Sequence, residues 1–191
     1  LLPVNLTQPE MILPFLPGHT WSFTGGPHSA WGPDGALAAL DFAPSSVESG
    51  CVSSDEWVTA VTGGQVLRSE NGVVILDTDG DGREQTGWVI FYLHIESRNR
   101  AAVGTWLAQG DLVGHPSCEG GVATGTHVHI ARKYNGEWVL ADGPLPFTMN
   151  GWRAVAGEKP YVGSLIKGAE IINSSLVGSY ESRIYRPVGE N

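Results

Sequence analysis

Two histidines separated by one residue, His127 and His129, are the strongest chemical signal in the sequence. They lie in residues 126–133, whose β-branched and small side chains predict a strand. Because side chains alternate between the two faces of a strand, both imidazoles point to the same side. Burying two imidazoles together without partners is unfavourable, and a metal ion removes the problem because neutral imidazole is a common metal ligand. The pair therefore favours a metal site over two surface histidines.

A catalytic zinc site needs three protein ligands and one open position. Two further residues could complete such a ligand set with one histidine of the pair. His28 follows a glycine-rich stretch, and Asp41 lies in the strand after the next loop. Together with one member of the pair they would give two imidazoles and one carboxylate, a set that lowers the pKa of a bound water towards ~7. The other member of the pair and His94 would remain as free imidazoles. Such groups can take a proton from the water and stabilise a negatively charged intermediate.

Other histidine and hydrolase patterns do not fit the sequence. No histidine follows His129, so the third ligand of a carbonic-anhydrase-like site is missing. Lys133 and Tyr134 stand where a cupin-like site has a glutamate. The zincin pattern His-Glu-x-x-His and the serine-hydrolase pattern Gly-x-Ser-x-Gly are both absent. A metal hydrolase on a β scaffold is the interpretation that remains.

Many short strands must position these residues. The chain is rich in glycine (26) and proline (12), which predicts an all-β fold, and its 191 residues can bury a sizeable core. Gly63-Gly64, Asn71-Gly72 and Asn135-Gly136 are hairpin signals. Strands are predicted at residues 57–61, 65–69, 73–76, 88–93, twice within 103–114, and at 126–133 and 137–140.

The organisation predicted for residues 1–191 is a single domain in three parts. Residues 1–27 are interpreted as an irregular or edge-strand lead-in that packs across the body, because they are rich in proline, glycine and aromatics. Residues 28–150 form the core that carries the chemistry. Residues 151–191 add further strands that pack on this core, with one helical turn near 163–172.

Charge and composition restrict the partners. A net charge of −9 with no basic patch argues against nucleic acid, and no apolar run is long enough for a membrane span. We therefore expect neither nucleic-acid binding nor membrane insertion. We also expect the protein to be a monomer. Cys51 and Cys118 fit either one disulfide in an exported protein or two free thiols inside a cell.

Four motifs in a fixed order resemble a known family. They are Gly26-Pro27-His28-Ser29, Leu40-Asp41-Phe42, Phe91-Tyr92-Leu93-His94 and Gly125-Thr126-His127-Val128-His129. This order resembles the lysostaphin-type zinc endopeptidases that cut peptidoglycan. Residues 117–121 (SCEGG) and 133–138 (KYNGEW) look most like the LasA-type, or β-lytic, branch of that family. The resemblance extends from about residue 18 to residue 140.

The resemblance implies a zinc endopeptidase domain with one Zn²⁺ held by His28, Asp41 and His129. His94 and His127 would then be the catalytic imidazoles beside a metal-activated water. It further implies a small antiparallel β-sheet or sandwich core, with long loops walling a groove that contains the zinc. Finally, it implies secretion or an extracytoplasmic location, and a disulfide at the cysteine before Glu-Gly-Gly, which is Cys118 here. The partner of that cysteine lies elsewhere in the family pattern, so we predict a bond to Cys51, the other cysteine of the sequence.

The implied substrates are peptide bonds of bacterial peptidoglycan, in stem peptides or crossbridges, next to Gly or D-Ala. Two alternatives remain open from the sequence. The chain is a non-catalytic relative that binds the cell wall or regulates, or it is a metallopeptidase that acts on glycine-rich proteins. All five site positions hold chemically competent residues, which favours the enzyme.

Two other features have a chemical and a structural interpretation. Asp77, Asp79 and Asp81 resemble the start of a calcium loop, but Trp88 replaces the distal glutamate, so an acidic hairpin turn is the alternative. Trp31 lies between two proposed ligands in the sequence, and it either lines the substrate groove or packs at the rim.

Overall fold

The computed structural model of the protein describes residues 2–46 and 48–189. These residues form strands, turns and loops, and their single helical segment is the 3₁₀ turn Tyr180–Ser182. None of the described residues belongs to a helix long and apolar enough to cross a membrane. The strands are β1 (Thr20–Ser29), β2 (Leu37–Pro44), β3 (Val58–Thr59), β4 (Gly64–Glu70), β5 (Val73–Asp77), β6 (Trp88–Leu93), β7 (Trp106–Leu107), β8 (Leu112–Gly114), β9 (Val128–Tyr134), β10 (Glu137–Trp138), β11 (Thr148–Met149), β12 (Trp152–Ala156), β13 (Gly163–Lys167), β14 (Glu170–Asn173) and β15 (Arg183–Tyr185).

The strands pair into three antiparallel sheets. The central sheet has the order β15-β1-β2-β9-β6-β5-β4-β7, and β10 pairs with the end of β9. A second sheet, β11-β12-β13-β14, contains most of the C-terminal part, and β3 pairs with β8 in a third. The all-β prediction is confirmed.

The two faces of the central sheet carry different residues because side chains alternate along each strand. On β9, Val128 and Ile130 point into the main core, which also contains Phe23 and Tyr92. Ala131 points to the opposite face, which has its own smaller apolar cluster. His129 has the parity of Ala131, so it lies on this second face.

Local turn chemistry explains the hairpins that were predicted correctly. Asn71-Gly72 joins β4 to β5, and Asn135-Gly136 joins β9 to β10. All four residues have φ between +49° and +81°, which Asn and Gly tolerate and which two-residue hairpins require.

Three expectations about the elements were wrong. Gly63-Gly64 closes no hairpin, since β3 pairs with β8 and β4 with β5 and β7. A Cβ at Gly64 would lie 2.4 Å from the carbonyl oxygen of Asp77, so close approach of strands explains this glycine. Residues 163–172 form the hairpin of β13 and β14 rather than a helical turn, with Gly168 at φ +60° in its turn. The irregular lead-in ends before Thr20, because β1 is a ten-residue strand inside the central sheet rather than an edge.

A buried arginine joins distant segments to β9. Arg132 is fully buried and has no carboxylate partner among the described residues; it donates to the carbonyls of Leu140 and Leu145, both at 2.9 Å, and to Gln8 Oε1. The ring of Phe147 lies 4.5 Å from its guanidinium carbon. Burial lowers the pKa of Arg132 to about 9. The side chain thus holds the segment after β10 and the N-terminal segment against the sheet.

We predict that Arg132→Met lowers the free energy of unfolding by about 2–4 kcal/mol, because buried carbonyls lose their donors. Urea denaturation measures this change. Arg153→Met, at an exposed position on β12, is the matched control and should change stability by less than about 0.5 kcal/mol. Equal effects of the two substitutions on the free energy of unfolding would contradict the stabilising role of Arg132.

Candidate metal centre

Strand pairing brings Asp41 and His129 together. β2 and β9 are neighbours in the central sheet, and Asp41 stands directly opposite His129 in their register. His28 comes from β1 on the other side of β2, beyond a register irregularity between Gly25 and His28. Gly25 lies opposite Asp41, and a Cβ there would come within 2.6 Å of Asp41 Oδ2. The carboxylate therefore occupies space that only a glycine leaves free.

Three donor atoms from these residues form a small triangle. His28 Nε2 and His129 Nδ1 each lie 3.2 Å from Asp41 Oδ1, and 3.0 Å from one another. On the far side of each ring, His28 Nδ1–H donates to the carbonyl of Gly26 (2.8 Å) and His129 Nε2–H to that of Ala30 (3.1 Å). These bonds fix the tautomers. In the neutral rings, lone pairs rather than hydrogens therefore face the carboxylate.

A cation fits this triangle. Asp41 Oδ1 is buried and has no aligned hydrogen-bond donor in the described part of the chain, which is costly for a carboxylate oxygen. Tetrahedral zinc with bonds of about 2.0–2.1 Å needs donors separated by about 3.3 Å, close to the spacing seen here. Two imidazoles and one carboxylate are also a ligand set of catalytic zinc sites. The residues therefore fit a zinc ion with one position left for another ligand.

The charges around Asp41 favour the ionised carboxylate. Burial alone would raise the pKa of Asp41, but its contacts with His129 and His28 outweigh this and hold that pKa far below its usual range. Burial likewise lowers the pKa of His28, yet the contact with Asp41 dominates and raises the pKa above its ordinary value. A proton on His28 and a metal ion therefore compete for the same atoms.

His94 and His127 form a second pair of imidazoles beside the triangle. Their ring centroids are 4.5 Å apart, and His127 Nε2 lies 3.8 Å from Asp41 Oδ2. His94 Nδ1–H donates to the carbonyl of Glu119 (3.0 Å) and His127 Nδ1–H to that of Gly125 (2.7 Å). Within the described residues, each ring thus keeps its Nε2 free of a backbone partner.

The backbone and the protonation state of His94 are both unusual. Its φ of +68° is in the left-handed region, which costs a non-glycine residue about 1 kcal/mol and here is held by surrounding hydrogen bonds. Burial first, and then repulsion from His127, lower the pKa of His94 to about 4. The imidazole is therefore neutral at pH 7, and its Nε2 carries a lone pair.

All five of these residues line one groove of about 1130 Å³. Its walls come from residues 43–46, 48–50, 52–56, 122–127 and 176–180, and from Arg183. Four large apolar side chains on these walls are strongly exposed, and they are Val122, Leu176, Val177 and Tyr180. The site thus lies at the base of an open groove with room for an extended chain.

Sequence reasoning missed Tyr161. Its ring stacks on His28, with centroids 4.0 Å apart and planes 20° apart, and its φ is +70°. Its carbonyl accepts a hydrogen bond from Gly26 N (2.9 Å), so Tyr161 closes the outer side of the segment that holds His28. Burial and the charge of Asp41 raise the pKa of Tyr161. Nothing in the local sequence marks this residue, because its position depends on the second sheet.

The remaining predicted residues lie elsewhere. Cys51 and Cys118 are joined by a disulfide with an S–S distance of 2.03 Å, which confirms the predicted pairing. Trp31 is exposed, packs edge-on against Phe91, and does not line the groove.

Three acidic residues, one at the end of β5 and two in the loop after it, converge on one another. Asp77 is buried, whereas Asp79 and Asp81 are exposed, and one oxygen from each lies within 4.8 Å of the others. Asp77 Oδ2 accepts a hydrogen bond from Gly82 N (2.9 Å). Burial raises the pKa of Asp77, and contact with Asp79 adds to this. Calcium binding by this loop stays a prediction.

Two solved peptidase structures share this architecture. The M23 metalloprotease pseudoalterin, from the deep sea, superposes with a TM-score of 0.69 at 23% identity, over 88% of this chain and 96% of that one. A zinc-containing peptidase from Vibrio cholerae gives a TM-score of 0.50 at 17% identity, over 73% of this chain and 41% of that one. Comparison with family models gave no match, and comparison with curated proteins gave none. The chain therefore has the fold of M23 peptidases.

We predict that Gly25→Ala weakens zinc binding about 10- to 100-fold, because the added Cβ displaces the Asp41 carboxylate. Competition with a chromogenic chelator measures the affinity, and circular dichroism checks folding. Gly63→Ala is the matched control, since the nearest heavy atom to its Cβ would be 3.5 Å away. If both variants bind zinc like the unmodified protein, the proposed role of Asp41 as a ligand fails.

Proposed function

We propose that this protein is a zinc metalloendopeptidase that hydrolyses peptide bonds in bacterial peptidoglycan. The observation that carries the proposal is the meeting of three lone-pair donors from His28, Asp41 and His129 beside two imidazoles that are not part of the triangle. A purely structural metal site closes all four positions with protein ligands, whereas this one leaves room for a reactant. The M23 fold and the groove agree with this function.

His28 Nε2, Asp41 Oδ1 and His129 Nδ1 would hold the zinc. When bound, zinc supplies a Lewis acid that lowers the pKa of water to about 7 and polarises a carbonyl group. The carbonyls of Gly26 and Ala30 keep the two ligand imidazoles in the tautomers that such binding requires.

We assign to His94 and His127 the transfer of the proton that the attacking water gives up. Their Nδ1–H groups are bonded to backbone carbonyls, so each ring accepts a proton at Nε2. A ring protonated in this way can stabilise a negatively charged oxygen and return the proton to the departing amine. We assign these steps to the pair rather than to one ring.

The substrate assignment rests on the ordered sequence motifs and on the groove. An extended peptide fits an open groove whose rim carries exposed apolar side chains. Apart from its histidines, the lining holds four carboxylates and one arginine, namely Asp41, Glu48, Asp55, Glu56 and Arg183. Such a surface suits peptides that are uncharged or carry amino groups better than anionic polymers. We include in the proposal cleavage next to Gly or D-Ala, the LasA-type branch, a monomer, and secretion, for which the disulfide is suitable.

The test compares the zinc-loaded protein with its His94→Ala variant on purified peptidoglycan, glycine and D-Ala crossbridge peptides, and a glycine-rich protein. New amino termini, identified by mass spectrometry, report the bond that is cut. We expect His94→Ala to keep about one zinc per chain and to lose at least about 100-fold in kcat. Asp41→Ala should lose both zinc and activity.

His19→Ala is the matched histidine control, since His19 pairs with Glu56 at the surface and should leave kcat unchanged. Binding to peptidoglycan without any hydrolysis would show a non-catalytic relative. Cleavage of the glycine-rich protein alone would move the substrate to that class. Full activity of His94→Ala would refute the catalytic assignment.

A further inference from the structure

The loop at residues 117–119 bonds to both His94 and His127, to the ring and backbone of the first and to the backbone of the second. Ser117 N and Oγ donate to the carbonyl of His94, at 2.7 and 2.9 Å. His127 N donates to the carbonyl of Ser117 (3.2 Å), and His94 Nδ1–H donates to that of Glu119 (3.0 Å). The left-handed backbone of His94 and the ring orientation are therefore fixed by two residues that flank Cys118.

The disulfide connects this loop to the opposite groove wall. Cys118 is bonded to Cys51, whose neighbours Gly50 and Val52 both contact Thr126. Thr126 N donates to the carbonyl of Gly50 (3.1 Å), Val52 N donates to Thr126 Oγ1 (2.9 Å), and this hydroxyl donates to the carbonyl of Val52 (2.5 Å). Thr126 immediately precedes His127. The crosslink thus connects residues 50–52, 117–119 and 126 around His94 and His127, and we call these residues the frame.

The hairpin turn between β4 and β5 packs against this frame. Ile95 N donates to the carbonyl of Gly72 (2.9 Å), and a Cβ at Gly72 would lie 2.3 Å from the carbonyl oxygen of Glu119. The side chain of Glu119 accepts hydrogen bonds from Ser97 N (2.8 Å) and from Arg100 (3.4 Å). The carbonyl that orients His94 is thus held from two sides.

The three donors of the triangle have different supports. Asp41 and His129 belong to the paired strands β2 and β9, and His28 to β1. The second ring nitrogens of His28 and His129 donate to the carbonyls of Gly26 and Ala30, which lie outside the frame. The sheet therefore holds the metal ligands, and the crosslinked loops hold the other two imidazoles.

We propose that the Cys51–Cys118 disulfide is a positioning element for His94 and His127, and that the metal site does not depend on it. The catalytic consequence rests on the proposed function. Removing the disulfide should therefore separate metal binding from turnover.

The experiment uses the zinc-loaded double variant Cys51→Ser/Cys118→Ser, since serines avoid free thiols that would compete for zinc. We expect about one zinc per chain, as in the unmodified protein. Amide hydrogen exchange should accelerate at Val52, Ser117, Thr126 and His127, while the amides of β2 and β9 keep their protection. Turnover should fall about tenfold or more in kcat, with KM changed less than about twofold.

Val66→Ala, a truncation in the buried part of β4, is the control for general destabilisation. It should lower Tm but leave kcat and the exchange of the four loop amides unchanged. Loss of zinc in the double variant, unchanged exchange at those amides, or unchanged kcat in an active enzyme would each overturn the proposal. If the unmodified protein hydrolyses no peptide, the proposed function fails, while zinc content and exchange still decide the role of the disulfide.

Discussion

The convergence of three lone pairs at Asp41 is the constraint on which the rest of the site depends. Without a cation or a proton, a buried carboxylate oxygen would face two imidazole nitrogens that carry no hydrogen. Strand pairing makes this contact unavoidable, because Asp41 and His129 are opposite one another in the ladder. Gly25 leaves room for the carboxylate, and Tyr161 covers His28. Each of these features is understandable as support for a charge placed at the centre of the triangle.

The site is built from two kinds of support with different mechanical character. A ladder of backbone hydrogen bonds inside a wide sheet holds the ligands, and such ladders open only with the fold. His94 and His127 are held by loops, which are inherently more mobile unless they are crosslinked. Ser117 and Glu119 on one wall, and Val52 on the other, gain their fixed positions from the bond between Cys118 and Cys51.

Short-range physics made much of the fold predictable from the sequence. Asn71-Gly72 and Asn135-Gly136 have the backbone freedom that tight hairpins need, and the parity of His127 and His129 follows from strand geometry alone. Long-range packing caused the failures. Gly64 resembles a turn residue, but it is required where β4 approaches β5.

Tyr161 carries no local signal, because the second sheet places it on His28. The choice of His129 rather than His127 as a ligand came from resemblance, and spacing could not supply it.

The central claim is that zinc binds three named donors. Anomalous diffraction at the zinc absorption edge, on crystals of the zinc-loaded protein, tests it most directly. The account predicts one peak bonded at about 2.0–2.2 Å to His28 Nε2, Asp41 and His129 Nδ1. A peak bonded to His94 or His127, or no peak at this triangle, would contradict it.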